Sequence, residues 1–443
     1  MAAPLIRERA DDAANDPARS PEPSAFSPAY RAYALGLLVV VYVLNFVDRQ
    51  ILFILAEPIR LELGFSDVWI GALTGPAFAV LYTFVGIPVA RWADVGVRRS
   101  IIALALLVWS GMTAVTAAAG SLTQLALARV GVGIGEAGCS PPAHSLISDL
   151  FPADKRATAL GIYSLGIPIG GALGSLAGGW LGQAYGWRMA FLLVGLPGVV
   201  LALIVRLTLR EPPRVAQHGP RESTRTVLRF ILGRRSFVHM SLGAALHAFY
   251  GYGAGAFIPA FLMRVHAFEL RELGTWLALI GLTTGVLGTF LGGAISDRLA
   301  RGDVSWYMRL PAVASLLGIP FTLLFYLWPD ARMVLLLSIP GSLLGPVYLA
   351  PTFAMTQGLV KPHMRAVASS ILLFIINLIG LGLGPLFVGF LSTVLNEDFG
   401  FGVDSIRYAL LWTVVIGSAW SALHYVIAAR TLREDLLAKD AIN

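Results

Sequence analysis

Apolar and polar stretches alternate along the chain with a regular spacing. Twelve apolar stretches read as spans, at about 34–56, 68–90, 99–119, 122–147, 156–182, 187–208, 236–262, 272–296, 306–328, 332–357, 364–393 and 405–429. Each is near or above the ~20 residues that a helix needs to cross a bilayer. The longest internal polar stretch, 209–235, follows the sixth span and carries Glu211-Pro212-Pro213 and a run of arginines. It divides the chain into a first bundle, 31–208, and a second, 236–430, of six spans each. Tails of 1–30 and 431–443 flank them. The first tail is rich in Ala, Pro, Asp and Arg and is expected to be disordered. It lacks the apolar core of a cleavable signal peptide.

Composition agrees with the pattern. The 443 residues are 56% hydrophobic and 13% charged, where soluble domains carry about 25% charged residues. Glycine (47) and proline (25) are plentiful, and membrane helices tolerate both. The fold class is therefore an all-α membrane protein with twelve transmembrane helices.

A net charge of +7 would suit nucleic acid, but the positions of the charges give another explanation. With both termini on one side, that side collects 25 of the 33 lysines and arginines. The other side holds Arg60, Arg188, Arg264, Arg271, Arg332 and Arg407, and two arginines lie inside spans. This bias places both termini in the cytoplasm and accounts for the charge without a nucleic-acid partner. Lysine occurs only as Lys155, Lys361 and Lys439; the arginine excess suits a GC-rich bacterial genome, hence an inner-membrane location. Cys139 is the single cysteine, so no intrachain disulfide is possible.

The halves repeat. Ala90-x-x-x-Asp94-x-x-x-Arg98 after span two matches Gly293-x-x-x-Asp297-x-x-x-Arg301 after span eight. Lys155-Arg156-Ala157 before span five resembles Met364-Arg365-Ala366 before span eleven. Internal repeats of this kind typify secondary transporters. Asp94, Arg98, Arg99, Asp297, Arg298 and Arg301 lie at helix ends on the cytoplasmic side. They read as a conformational latch whose ion pairs hold one access state. Positive-inside anchoring explains the arginines but not the repeated aspartates.

Charges inside the spans carry the chemistry. Asp48-Arg49 lies in the first span, and Arg129 and Glu136 lie seven residues apart in the fourth, on one helix face. A charge at membrane depth costs a few kcal/mol and usually marks a pathway. Asp48 and Glu136 are the candidate proton-carrying groups, the alternative being permanent structural ion pairs. Glycines at 131, 133 and 135 allow close helix approach and are expected to bring Glu136 near span one. Arg49 and Arg129 suit an anionic headgroup, because a guanidinium forks onto phosphate; they serve equally as counter-ions of the carboxylates. His247 and Tyr250 precede the Gly251-Tyr252-Gly253-Ala254-Gly255 break in span seven and, with Asn45, Phe46 and Asn377, are candidate cavity residues. Phe53, Phe249 and Phe257 are candidates for an apolar wall.

Several classes fall away. Gly133-Ile134-Gly135-Glu136-Ala137-Gly138 spells a dinucleotide fingerprint but lies mid-span, without the strand and βαβ unit such a site needs. The seven histidines (144, 218, 239, 247, 266, 363, 424) show no metal-ligand spacing. No nucleophile–base constellation points to an enzyme, and no cofactor is expected.

Twelve spans, a polar central segment and the paired loop motif resemble the major facilitator superfamily. That motif usually reads Gly-x-x-x-Asp-Arg-x-Gly-Arg-Arg. Here Ala90 stands for the first glycine, Val95 for the first arginine, and the second glycine is shifted to Gly96; Asp94, Arg98 and Arg99 remain. The second copy keeps Gly293, Asp297, Arg298 and Arg301. Span four fits the superfamily's Arg-x-x-x-Gly pattern from Arg129 to Gly133. A closer resemblance is to the Spinster family, through Leu44-Asn45-Phe46-Val47-Asp48-Arg49 and through Arg129 to Ala137 running on to Asp149-Leu150-Phe151. The resemblance implies a major facilitator fold of two pseudo-symmetric six-helix bundles that work by rocker-switch alternating access. It also implies proton-coupled movement of a lysolipid, of the lysophospholipid or sphingosine-1-phosphate type, by a monomer among membrane lipids. A proton-coupled drug or organic-anion carrier is the nearest alternative. A passive lipid conduit or receptor is disfavoured, because it has no use for embedded carboxylates.

Overall fold

The computed structural model describes residues 26–212 and 223–438. Most of the tail expected to be disordered (1–25), part of the central segment (213–222) and the last residues (439–443) lie outside the described residues. Among the described residues all regular structure is helical, with no strand.

Twelve rods are present. α1 is Pro28–Leu63, capped by Ser27, whose side chain accepts from the Tyr30 amide at 3.2 Å. α2 is stepped at Gly75 between Asp67–Thr74 and Pro76–Val95. α3 is Arg98–Thr116. α4 comprises Leu122–Glu136 and Ser140–Leu150. Its break follows from Gly138 and from Pro141-Pro142, which cannot donate within a continuous helix but suit the first turn of a new one. α5 is Ala153–Ser164 continued by 166–185, and α6 is 187–208. Between them Gly186 adopts φ 80°, a conformation that glycine reaches without steric cost. In the second half α7 is Arg235–His266, α8 Leu270–Ala300 and α9 Trp306–Leu327. α10 runs from Ala331–Leu344 through a 3₁₀ turn to Leu349–Gly358. α11 is Arg365–Ile375, a π-helical stretch Ile376–Leu383, and Gly384–Glu397; α12 is Ser405–Ala438. The central segment carries a short helix of its own, Thr224–Leu232.

By length and apolarity alone, nine helical stretches among the described residues qualify as spans. One of these, Asp154–Thr208, holds the two crossings α5 and α6. α4 fails through its break and α7 through its polar side chains, so the twelve expected rods are all accounted for. Glycines set how they pair. Gly166, Gly170, Gly174 and Gly178 of α5 rest in step on Tyr42, Phe46, Gln50 and Ile54 of α1, so these two run parallel. Gly195 and Gly198 of α6 meet Ala114 and Ser110 of α3 in reverse order, so α6 returns.

Packing is unequal at the two ends. At the end carrying the termini, one apolar core surrounds Leu38, Trp109, Tyr163 and Val205, and a separate one surrounds Phe237, Met308, Leu372 and Tyr425. Of the second half, the first of these cores takes in only Leu381 as a buried member. At the opposite end the cores mix the halves: Phe257, Phe261 and Leu410 pack with Ala56 and Ile70, and Leu55 and Phe191 pack with Leu270. Backbones also touch there. A Cβ on Gly179 of α5 would lie 2.9 Å from Gly274 Cα and 2.7 Å from the Leu270 carbonyl of α8. One on Gly75 of α2 would lie 2.7 Å from the Gly382 carbonyl of α11. The halves are therefore closed against each other at the end away from the termini.

A leucine at Gly179 will wedge that contact. Overpacking costs about 1–3 kcal/mol and falls on the closed arrangement alone, which shifts a two-state equilibrium ~5–150-fold. Spin labels at the far ends of α5 and α8 in Gly179→Leu are expected to show a longer-distance population. A distribution identical to that of the parent protein would mean that the halves do not part there.

Candidate functional site

Successive residues on a helix diverge by about 100°, so Asp48 and Arg49 of α1 address different neighbours. Arg49 Nε donates to Glu136 Oε2 at 2.6 Å, and the Glu136 side chain is fully buried. The guanidinium carbon lies 5.0, 4.8 and 4.7 Å from the ring centres of Phe46, Phe78 and Tyr82. Arg129 is buried beside the same Phe78 ring, at 5.2 Å. Asn45, Asp48, Arg129 and Glu136 are each 1–3% exposed. Two carboxylates and two guanidiniums leave this layer formally neutral. That matters because an uncompensated buried charge costs about 3–5 kcal/mol.

The glycines of α4 act differently from expectation. A Cβ on Gly133 would lie 2.8 Å from the Phe78 carbonyl of α2, and one on Gly135 2.6 Å from the Trp109 amide nitrogen of α3; Gly131 abuts Met112 of α3. They press α4 against α2 and α3. Arg49 reaches across to Glu136 by the length of its own side chain.

A cavity of about 230 Å³ opens beside Arg49. The first half lines it with Phe46, Arg49, Gln50, Phe53, Thr74, Phe78 and Arg129, and the second with Gly251, Tyr252, Gly255 and Leu381. It presents guanidinium groups on one wall and mainly aromatic surface elsewhere. Arg49, Arg129, Phe46 and Phe53 thus come together at one cavity.

Other expected cavity residues lie elsewhere. His247 and Tyr250 are buried in the second half, bonded to each other at 2.7 Å, with His247 stacked on Tyr348. Tyr250 is two residues from Tyr252 and so about 200° round the helix; Tyr252 takes the cavity position. Phe249 lies against Phe387 at 5.4 Å, and Phe257 belongs to the core at the closed end. Asn377 is half-buried on the π-helical stretch, and Leu381, one turn on, reaches the cavity. Sequence reasoning passed over Gln50, Thr74, Phe78, Tyr82 and Tyr252. The glycines flanking Tyr252 were the signal for it.

Arg98 and Arg99 bind within the first half and to the start of the central segment, and Asp297 binds within the second half. Arg98 is buried and donates to Glu211 at 2.6 Å, to Ser145 at 2.8 Å and to Asp149. The Arg99 amide donates to Glu211 at 3.1 Å and its guanidinium to the Leu209 carbonyl at 3.1 Å. These bonds tie α3 to the end of α4 and to the start of the central segment. Tyr307 donates to Asp297 at 2.8 Å. Asp94, Asp297, Arg298 and Arg301 are exposed.

An ion cluster across the halves, not anticipated from the sequence, sits at the closed end. Arg264 of α7 donates to both oxygens of Asp67 of α2, at 2.7 and 2.6 Å, and to Glu57 of α1. Arg60 donates to Glu57 at 2.8 Å, and Ser392 of α11 to Asp67 at 2.7 Å. A recess of about 310 Å³ opens beside this cluster, lined by Arg60, Asp67, Arg264, Ser392 and Glu397 among others. It is larger than the cavity at Arg49 but lies at the closed end, away from Arg49 and Arg129. On the α5–α8 side, Trp180 donates to Thr275 at 3.0 Å and Gln183 to Glu269 at 2.9 Å.

The model of the Major Facilitator Superfamily matches residues 38–385. An MFS-type efflux pump of Mycolicibacterium smegmatis is 36% identical, over 91% of this chain and 94% of its own length. The sphingosine-1-phosphate transporter of Danio rerio is 27% identical, over 87% and 82%. The crystal structure of a bacterial homologue of the human lysosomal transporter Spinster, in an inward-facing and unoccupied conformation, matches with a TM-score of 0.83 at 34% identity. That match covers 93% of this chain and 99% of the other.

Removing Arg264 leaves Asp67 and Glu57 sharing Arg60 alone. Loss of one partner from a buried ion cluster costs about 3–5 kcal/mol, and the charges escape that cost if water enters between the halves. Arg264→Ala is expected to widen the label-to-label distance between the far ends of α1 and α7. It is also expected to lower thermal stability less than that cost implies. A large loss of stability with an unchanged distance would show a purely structural cluster.

Proposed function

The chain belongs to the major facilitator superfamily, in its Spinster family, and from that premise we propose a proton-coupled carrier of an anionic single-chain lipid. The observation that carries the proposal is the Arg49–Glu136 pair at the cavity wall. While Glu136 is ionised it occupies the guanidinium. Protonation of Glu136 releases Arg49, which then binds a phosphate through its two-pronged donor face. Proton and lipid headgroup are thereby linked through one side chain, with Asp48 as the second proton-carrying group and Arg129 as the second cation. The cavity is smaller than the ~300–1,000 Å³ of sites that enclose a whole small molecule. It fits a headgroup, with the acyl chain running out between the halves beside Phe46 and Phe53.

The excess of positive charge at the termini end puts that end in the cytoplasm. The closed end with Arg264 then faces outward, and the protein rests open to the inside of a bacterial inner membrane. In this reading the bundles 31–208 and 236–430 rock about the central site as a monomer. Asp94, Arg98, Arg99, Asp297, Arg298 and Arg301 form the latch that engages when the inner end closes. Resemblance to an efflux pump at 36% identity supports a second reading, export of amphiphilic drugs through the same cavity.

Proteoliposomes loaded with the protein separate these readings. Accumulation of a lysophospholipid is expected with an imposed pH gradient and not without one. Asp48→Asn and Glu136→Gln are each expected to abolish the gradient response while leaving a folded protein, since both keep shape and remove the titrating group. Wild-type accumulation in both variants would end the proton-coupling proposal.

Arg49→Lys keeps the charge and loses the planar fork. Its affinity for a lysolipid with a phosphate is expected to fall about tenfold, the value of one charge-assisted bond. A phosphate-free single-chain amine should lose far less. Equal losses for the two lipids would favour the drug-export reading.

A further inference from the structure

Buried polar atoms cluster between α1, α3 and α4 without a direct hydrogen-bond partner. They are Asn45 Nδ2, Asp48 Oδ2, Thr113 Oγ1, Arg129 Nε and Glu136 Oε1. Their arrangement is paired. The Thr113 hydroxyl faces the Asp48 carboxylate, and the Asn45 side chain faces Glu136. In each pair the two side chains lie within hydrogen-bond reach of each other, but the atoms concerned are not aligned for a full direct bond. Leaving such atoms unsatisfied costs about 1–3 kcal/mol each, so five in one layer are not tolerated without a bridging group. Two of them, Asn45 Nδ2 and Arg129 Nε, are donors. Two others, Asp48 Oδ2 and Glu136 Oε1, are acceptors when ionised. A water molecule both accepts and donates, and buried water characteristically makes 2–4 bonds of this kind.

We infer that a water-bridged chain held by Thr113 and Asn45 connects Asp48 to Glu136 and passes the coupled proton between them. The inference rests on the proton-coupling proposal and adds positioning residues to it. The step balances. Protonated Asp48 gives its proton to the bridging water, and the water passes another of its protons to the Glu136 carboxylate. Asp48 is left ionised, Glu136 neutral, and the net charge unchanged. Arg129 interacts with both acids and stabilises Asp48 once it is ionised, while Arg49 is freed toward the cavity. The layer therefore needs two arginines, one for each position of the negative charge. The other titratable groups around it are Cys139 beside Glu136 and Arg49, and Tyr42, Tyr82 and Tyr252 beside Arg49. These are hydroxyls and a thiol, so the two carboxylates remain the ends of the chain.

Thr113 tests this without altering either carboxylate or the cavity wall. Thr113→Val keeps the shape and removes the hydroxyl; Thr113→Ser keeps the hydroxyl. In proteoliposomes with lysophospholipid, Thr113→Val is expected to reduce gradient-driven accumulation about tenfold, the value of one lost hydrogen bond that positions the relay. Binding of the same lipid at fixed pH should stay within about twofold, and Thr113→Ser should restore most of the transport. Should the valine variant not fold, Thr113→Ala serves in its place. Full gradient-driven transport in the hydroxyl-free variant overturns the relay and leaves the coupling proposal standing. Parallel loss of binding and transport, unrescued by serine, also overturns it, because Thr113 is then a packing residue. A wild type that ignores the pH gradient overturns the coupling proposal itself, and the relay with it.

Discussion

A guanidinium at mid-depth in an apolar bundle has to be neutralised, and the whole first half is shaped by that requirement. Arg49 is met by Glu136 at 2.6 Å and wrapped by three aromatic rings. An aromatic face adds roughly 0.5–2 kcal/mol per contact with a cation, which helps but does not replace a counter-charge. Glu136 must therefore be delivered to the depth of Arg49. The glycines of α4 do this by letting the helix close on Phe78 of α2 and Trp109 of α3. Beyond the break after Glu136, the remainder of α4 carries Asp149, which meets Arg98. One charge requirement thus sets a helix path, a helix break and the wall of a cavity.

The same chemistry appears at the closed end with a different consequence. Arg264 joins Asp67 and Glu57 across the halves, while Arg98 and Arg99 bind within one half. Buried ion pairs give little net stability, since desolvation offsets most of the attraction. That suits a gate. A contact that is well satisfied when dry, and nearly as well satisfied by water when open, leaves two states close in free energy. A ligand need then supply only its own differential binding to shift between them.

How much of this was legible depended on what each signal measures. Twelve spans could be read because apolar length is a property of the chain itself. The in-span charges stood out because their burial is costly wherever they point. Facing direction was not legible: Tyr252 and Tyr250 differ by two positions, and only packing against the first half decides which one meets the cavity. The partner of the α4 glycines was misjudged for the same reason, since a small residue shows that something approaches but not what. Arg264 lies 197 residues from Asp67 and 207 from Glu57, and at span ends all three look like ordinary flanking charges. Glu211 and Asp149 likewise gave no sign that both would close on Arg98.

The order of Asp48 and Arg49 carries one more consequence. Because adjacent residues on a helix point about 100° apart, the acid looks into the packed interior toward Thr113 and Arg129, and the base looks toward the cavity. The two cannot exchange neighbours without rotating α1, which the α1–α5 glycine contacts resist. Under the proposed function, a proton on Asp48 and a headgroup on Arg49 would therefore occupy separate compartments of one helix turn. Glu136 is the group that both compartments share, through its contact with Arg49 and its electrostatic contact with Asp48. Coupling in such an arrangement needs no large movement of α1. It needs only that the negative charge on Glu136 be present in one state and absent in the other.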